Sequence, residues 1–330
     1  MERLDVRSMG LRSSGKKRSR GVREVRGLEK LEELRKEAAK EVPKVIHVDQ
    51  IVEAVEELCI GANYDLGDDM MLKFREALLT EESPLGCEVF ERLIENATIA
   101  HEERVPMCQD TGMTVIFVEL GQEVMITGGA LKDALNEGVR RGYEKGYLRK
   151  SMVKDPFDRV NTGDNTPAII HYDIVPGDQL KITVAPKGAG SENMGALKMC
   201  KPSEGLEGAI QFVVDTVEKA GGNPCPPIIV GVGVGGSMEK ATYLAKKSLL
   251  RQVGEPNAEK RLADIEEEIL KRVNKLGIGP QGFGGTNTAL GVHLEVYPTH
   301  IASLPVAVNI QCHAARHQEV VLKGRQEGEE

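Results

Sequence analysis

Pro106-Met107-Cys108-Gln109-Asp110-Thr111-Gly112 packs a thiol, an amide, a carboxylate and a hydroxyl into one turn, and the apolar run Met113–Leu120 follows it directly. Pro106 stops a helix from running through, Gly112 permits the turn out, and the run behind it reads as a buried strand. Cys108 therefore stands where an element begins, not inside one. Taken singly, a loop cysteine is more often a small packing residue than a ligand. Its reading depends on what else the chain carries.

The chain has 330 residues, enough for one large or two medium domains, and its 40% hydrophobic and 28% charged content is that of a soluble globular protein. A net charge of −8 argues against a general nucleic-acid binder. With no Trp and 4% aromatics, the core must rest on aliphatic and Met packing, leaving little for base-stacking platforms. No apolar run reaches the roughly 18 residues that a membrane span needs, and no secretory segment is visible. These features point to a cytoplasmic protein that contacts neither membrane nor nucleic acid. Six cysteines, at 59, 87, 108, 200, 225 and 312, are too few for a disulfide scaffold of this length, so they are expected as thiols: buried, catalytic or metal-bound.

Residues 1–27 are rich in Ser, Arg and Lys, and Leu28–Lys40 carries a Leu/Glu/Lys helix pattern. The segment 1–46 reads as a basic extension, disordered or helical, with Met9 as an alternative start and an RNA-binding or targeting arm as the rival. Amphipathic helices follow over Val48–Cys59, Asp68–Leu79 and Pro84–Ala100, with Cys59 and Cys87 as packing residues. Beyond the strand at 113–120 come a helix over Ala130–Lys145 and a long polar loop through Arg149, Lys150 and Asn161-Thr162-Gly163-Asp164-Asn165-Thr166-Pro167. Arg149 and Lys150 suit the helix C-terminus, but polar loops this long tend to be functional. Strands Ile169–Ile174 and Gln179–Ala185 flank Pro176-Gly177-Asp178, whose turn chemistry predicts a hairpin. Lys187-Gly188-Ala189-Gly190-Ser191-Glu192-Asn193 then lets backbone N–H groups converge on an anion, or is an ordinary turn. Cys200 follows a predicted helix, Met194–Met199.

Gly231, Gly233 and Gly236 satisfy G-x-G-x-x-G between the strand Ile228–Val230 and a helix over Ser237–Leu250, the setting of a dinucleotide fingerprint. No strand ending in an acidic residue follows; the chain runs into Val253–Asn257 and a charged helix, Ala258–Leu276. A nicotinamide dehydrogenase is thus the weaker reading, and the glycines are expected to bring a helix N-terminus to a substrate carboxylate or a bound group. The last strands, Ala289–Val296 and Ile301–Ile310, have His300 in the turn between them and end at Gln311-Cys312-His313. Cys108, Cys225 and Cys312 all lie at loop–element junctions, but over roughly two hundred residues they match no local zinc or ferredoxin spacing.

Five ordered motifs carry a resemblance: Cys108–Gly112, Asn161–Pro167, Lys187–Asn193, Pro224-Cys225-Pro226-Pro227 and Gln311-Cys312-His313-Ala314-Ala315-Arg316. Together they resemble the alpha subunit, or N-terminal domain, of the class I iron–sulfur fumarate hydratases and the related L-tartrate dehydratases. The resemblance covers about residues 47–320 as one catalytic domain. It leaves out the extension 1–46 and a charged tail, 321–330. It implies a 4Fe-4S cluster on Cys108, Cys225 and Cys312 with one iron free of protein ligands, acting as Lewis acid on the substrate hydroxyl. It further implies that Gln109, Arg149, Gly188, Gly190, Ser191 and Asn193 hold a small dicarboxylate and that Asp110 and His300 are catalytic.

Fumarate/L-malate, tartrate/oxaloacetate and methylfumarate are the substrates to weigh. The family's beta domain, which brings further carboxylate-binding groups and the base for the C–H proton, has no counterpart in the chain. A separately encoded beta subunit in an alpha2beta2 assembly is therefore expected. The fold class implied is mixed α/β (α+β): a helical N-terminal part packed on a small mixed or antiparallel sheet, with the cluster at loop–strand junctions.

Overall fold

Residues 44–325 are described by a computed structural model, and the first of them already depart from the expected extension. Lys44–His47 form strand β1, which runs parallel to β3 (Val124–Thr127). The rest of the extension, 1–43, and residues 326–330 of the expected tail lie outside the described residues. At the other end, β10 (Gln318–Lys323) runs across the expected boundary at 320, because its alternating side chains pair with β5 (Gln179–Lys187).

The mixed α/β class is borne out, but with two four-stranded sheets rather than one small sheet. The first is ordered β10-β5-β2-β4, with β2 at Met113–Gly121 and β4 at Ile169–Val175. The second is ordered β6-β9-β7-β8, with β6 at Ala196–Cys200, β7 at Ile228–Gly235, β8 at Ala289–Tyr297 and β9 at Leu304–Gln311. Both follow one path. A central strand (β2, β7) leads through helix to a parallel neighbour (β4, β8), and the chain crosses to an antiparallel strand on the other side (β5, β9). The fourth strand is exchanged: β6 follows the first unit yet completes the second sheet, and β10 follows the second yet completes the first.

This path removes the expected hairpin. β4 and β5 both pair with β2, which lies between them, and the Pro176-Gly177-Asp178 turn passes over its end, where Gln122 N donates to Val175 O and Glu123 N to Gly177 O. Likewise the predicted helix 194–199 is strand β6, preceded by a single helical turn, α5 (Ala189–Glu192).

Helices α1 (Val48–Tyr64) and α4 (Leu131–Lys145) cover the first sheet. Ile51, Val52, Val55, Leu58 and Cys59 form the buried stripe of α1, and His47 and Gln50 cap its start reciprocally. Gly138 and Gly142 let α4 lie against Val55 and Cys59, so Cys59 is the packing residue expected of it. Helices α2 (Asp68–Thr80) and α3 (Pro84–Glu103) pack through Phe74 and Phe90. On the second sheet lie α6 (Gly205–Ala220) and α8 (Lys260–Asn274).

Helix α7 (Met238–Ser248) is held between the two sheets. Its alanine face, Ala241 and Ala245, meets β7, where a Cβ on Gly231 or Gly233 would run into the Ala245 and Ala241 carbonyls. Its other face sends Tyr243 and Lys247 to Asp173 of β4. The glycines therefore serve strand–helix packing. They sit inside β7 rather than in a phosphate-binding turn, and α7 begins at the end of β7 remote from Cys225, so neither the dinucleotide nor the helix-terminus expectation holds. No helix among the described residues is long and apolar enough to cross a membrane.

Candidate functional site

Central strands begin and their antiparallel neighbours end at one edge of both sheets: Met113 pairs with Lys187, and Ile229 with Gln311. Four loops meet there, carrying Cys108, Gly188–Asn193, Cys225 and Cys312. The Cys225 thiol, on a residue open to solvent, is pushed up by the partial burial of its sulfur and by its neighbours Cys312 and Cys108. His313 N donates to Cys225 O at 3.3 Å. Cys108 and Cys312 pack on one small apolar cluster of Ala100, Met107 and Ala314. Cys59 and Cys200 are buried elsewhere, and Cys87 rests its sulfur on Glu81 O at 3.5 Å.

The Cys108 turn is fixed from three sides. Tyr143 of α4 donates its hydroxyl to Thr111 O (2.8 Å) and Gly112 O (3.1 Å). Thr111 Oγ1 donates to Arg149 O at 2.9 Å, which brings the exposed Arg149 to the rim of the turn. Asn165, buried with φ 64°, donates to Gly112 O and accepts Ser151 N at 2.7 Å, so the polar loop 149–165 is clamped to the turn. Gln109 is exposed, with Oε1 3.4 Å from Cys108 Sγ.

Asp110 joins two of the loops. Its Oδ1 accepts Gly112 N at 3.0 Å and its Oδ2 accepts Ala189 N at 2.9 Å. Behind it the buried Arg316 donates Nη2 to the Asp110 carbonyl, while its Nε and Nη1 have no partner among the described residues. Gly190 approaches Asn223 O of the Cys225 loop. Cys225 itself adopts φ 53°, and the Gly277–Thr286 loop braces its turn: Gln281 N donates to Pro226 O at 2.7 Å, and Gly282 lies against Gly222. Glu81 anchors that loop by accepting Thr286 N and Asn287 N at 2.8 and 3.0 Å.

Two expected residues are placed otherwise. Ser191 is buried and turns its hydroxyl to Lys187 Nζ, 2.6 Å away, so the loop groups open to a ligand are the backbone, Gly190 and Asn193. His300 is exposed in the turn after β8, where it accepts Ala302 N and where the neighbouring Thr299 reaches Gly236. That turn is at the opposite end of the eight-residue β9 from Cys312, roughly 25 Å at about 3.3 Å per residue. Within one chain His300 does not join the cysteines. The residues that sequence leaves unassigned are Lys187, Glu192 and Arg316, and burial carries Lys187 down to about 8 although Glu192 and Cys312 pull it upward.

Among the described residues no three His, Cys, Asp or Glu side chains close around a single ion. Three converging thiols suit a polynuclear iron–sulfide group, whose usual protein ligands are thiolates. The cations Lys187 and Arg316 beside them suit its negative charge.

A family model described as fumarate hydratase (Fumerase) matches residues 52–321. A Methanocaldococcus jannaschii protein named "Putative L(+)-tartrate dehydratase subunit alpha" is 43% identical over 274 residues, 81% of this chain and 95% of that one. The L(+)-tartrate dehydratase subunit alpha of Escherichia coli strain UTI89 is 34% identical over 273 residues, 82% of this chain and 89% of its own length. That of strain K12 is 34% identical over 279 residues, 83% and 91% of the two chains.

Proposed function

The chain belongs to the fumarate hydratase family, and from that premise we propose that it is the alpha subunit of an iron–sulfur hydro-lyase acting on a small dicarboxylate. The observation that carries the reading is the meeting of Cys108, Cys225 and Cys312 with Asp110 and the Gly188–Asn193 loop at one edge of both sheets. Cys108, Cys225 and Cys312 would hold a 4Fe-4S cluster. When bound, it supplies a Lewis acid, an iron without a protein ligand that weakens the bond from carbon to the departing hydroxyl.

The chain's own residues do the rest. Arg149, exposed at the rim of the Cys108 turn, offers a planar fork to one carboxylate. Gly190 and Ser191 offer backbone N–H groups to the other, with Gln109 and Asn193 beside them. Asp110, oriented by two backbone amides, moves the proton at the hydroxyl that leaves as water. The C–H proton is taken by a group on a separately encoded beta subunit, in keeping with relatives named as alpha subunits. A thiol-held cluster belongs in a reducing compartment, the cytoplasm.

Fumarate/L-malate follows from the family, and L(+)-tartrate from the names of the relatives. The two differ by one hydroxyl, and a site that hydrogen-bonds this group discriminates strongly. Assaying the anaerobic complex with its beta subunit on L-malate, L(+)-tartrate and methylfumarate decides between them. Turnover of one far above the others is expected, by dehydration of L-malate or L(+)-tartrate or by hydration of methylfumarate; turnover of none by a cluster-loaded complex would overturn the hydro-lyase reading.

A further inference from the structure

Behind the Gly188–Asn193 loop lies a charged unit that draws on both halves of the fold. Lys187 ends β5 of the first sheet with its side chain 5% exposed. Its ammonium stands 2.6 Å from Ser191 Oγ and 3.6 Å from Glu192 Oε2. Glu192 turns its other oxygen to Lys246 of α7, at 2.5 Å, and accepts Asn309 Nδ2 of β9 at 3.1 Å. The single turn α5 is thus gripped by a strand of each sheet and by the helix between them. Asp110 holds its first residue, Ala189, from the opposite side. Four residues of helix have too few backbone hydrogen bonds to stand alone. The loop's shape must come from these contacts.

We infer that Lys187, Glu192 and Lys246 are positioning residues for the ligand-facing loop, fixing for a dicarboxylate the N–H groups of Gly190 and Ser191, while Ala189 N is held by Asp110 and the amides of Glu192 and Asn193 turn back on Gly188 and Ala189. The inference rests on the proposed function for the identity of the ligand only. The unit also carries a formal excess of one positive charge, two lysines against one glutamate. Positioning and a simple field effect predict opposite signs when the glutamate is neutralised. Removing the charge of Glu192 raises the positive field and would tighten a dianion if field alone mattered. Loss of its grip on Lys246 and Asn309 loosens the loop and weakens binding.

The test uses Lys187→Met and Glu192→Gln, both close in size to the native residues. In the full chain without cofactor, hydrogen exchange of the bonded amides of Ala189, Glu192 and Asn193 is expected to quicken about tenfold or more in each variant, while amides of β7 stay protected. In the complex with the beta subunit, each variant is expected to raise KM for the preferred dicarboxylate about tenfold, with kcat changed far less and, in Glu192→Gln, iron content unchanged. Unaltered exchange of the loop in both variants overturns the inference. So does a lower KM in Glu192→Gln. If the unaltered complex turns over no dicarboxylate, the proposed function fails while the exchange result still decides the positioning role.

Discussion

Each cysteine of the trio is placed by backbone. Cys225 takes a left-handed conformation at φ 53°, Cys108 precedes a glycine turn at φ 75°, and Cys312 leaves β9 with His313 N bonded to Cys225 O. Pro and Gly near Cys108 and Cys225, and polar neighbours at Cys312, made these junctions legible in the sequence. Which side chains turn inward was not. Ser191 reads as a ligand-facing hydroxyl, yet Lys187 draws it inside, and Glu192 finds Lys246 and Asn309 54 and 117 residues away, beyond any local pattern. His293 illustrates the same limit with a consequence for stability. It is buried on β8 with Nδ1 3.0 Å from Ser248 O, and burial, reinforced by Arg251, lowers its pKa from 6.5 to about 4. Between those values the unfolded chain binds a proton that the folded one refuses, so the stability that a neutral His293 permits is full above pH 6.5 and is lost as pH falls toward 4. Replacing it by Gln should shrink the loss of unfolding free energy between pH 7 and 4.5 by about 2 kcal/mol, read from urea midpoints. An unchanged loss would mean that His293 does not titrate in this window.

Elements were read well where the signal is periodic and poorly where it concerns neighbours. The three N-terminal helices start at the residues their patterns predict, and α1 runs on to Tyr64 because Cys59 and Ala62 continue the buried stripe. Pro176-Gly177-Asp178 was correctly a turn, but turn chemistry cannot say that β2 lies between the strands it joins. The glycines at 231 and 233 mislead for a related reason: glycine allows both a phosphate-binding turn and a close helix contact, and only the packing partner tells them apart. A Cβ on Gly233 would lie 2.6 Å from Ala245 N and also strike the Ala241 carbonyl. Gly233→Ala should therefore cost about 1–3 kcal/mol by forcing α7 off the sheet, seen as a lower urea midpoint at unchanged slope. A midpoint equal to that of the native chain would remove close packing as the reason for these glycines.

For the whole molecule, the repeated path of the two sheets explains how distant motifs meet. Cys108 leads into one central strand and Cys225 into the other, while Cys312 leaves β9 as Gly188 leaves β5. Each motif was visible in the sequence; the shared edge was not, because the repetition lies in the strand order. The exchange of β6 and β10 ties the halves together, so that a ligand set drawn from both is held as one body. Cys108, Cys225 and Cys312, and no other thiols, should then hold one cluster. Iron and sulfide per chain, with visible absorbance, measured on anaerobically purified native protein and on the six single Cys→Ser variants, test this directly. About four irons and four sulfides are predicted for the native chain and for the variants at 59, 87 and 200, with loss of the cluster at 108, 225 and 312. A full cluster retained in any of those three, or lost at Cys59, Cys87 or Cys200 in a chain that still folds, would contradict the account.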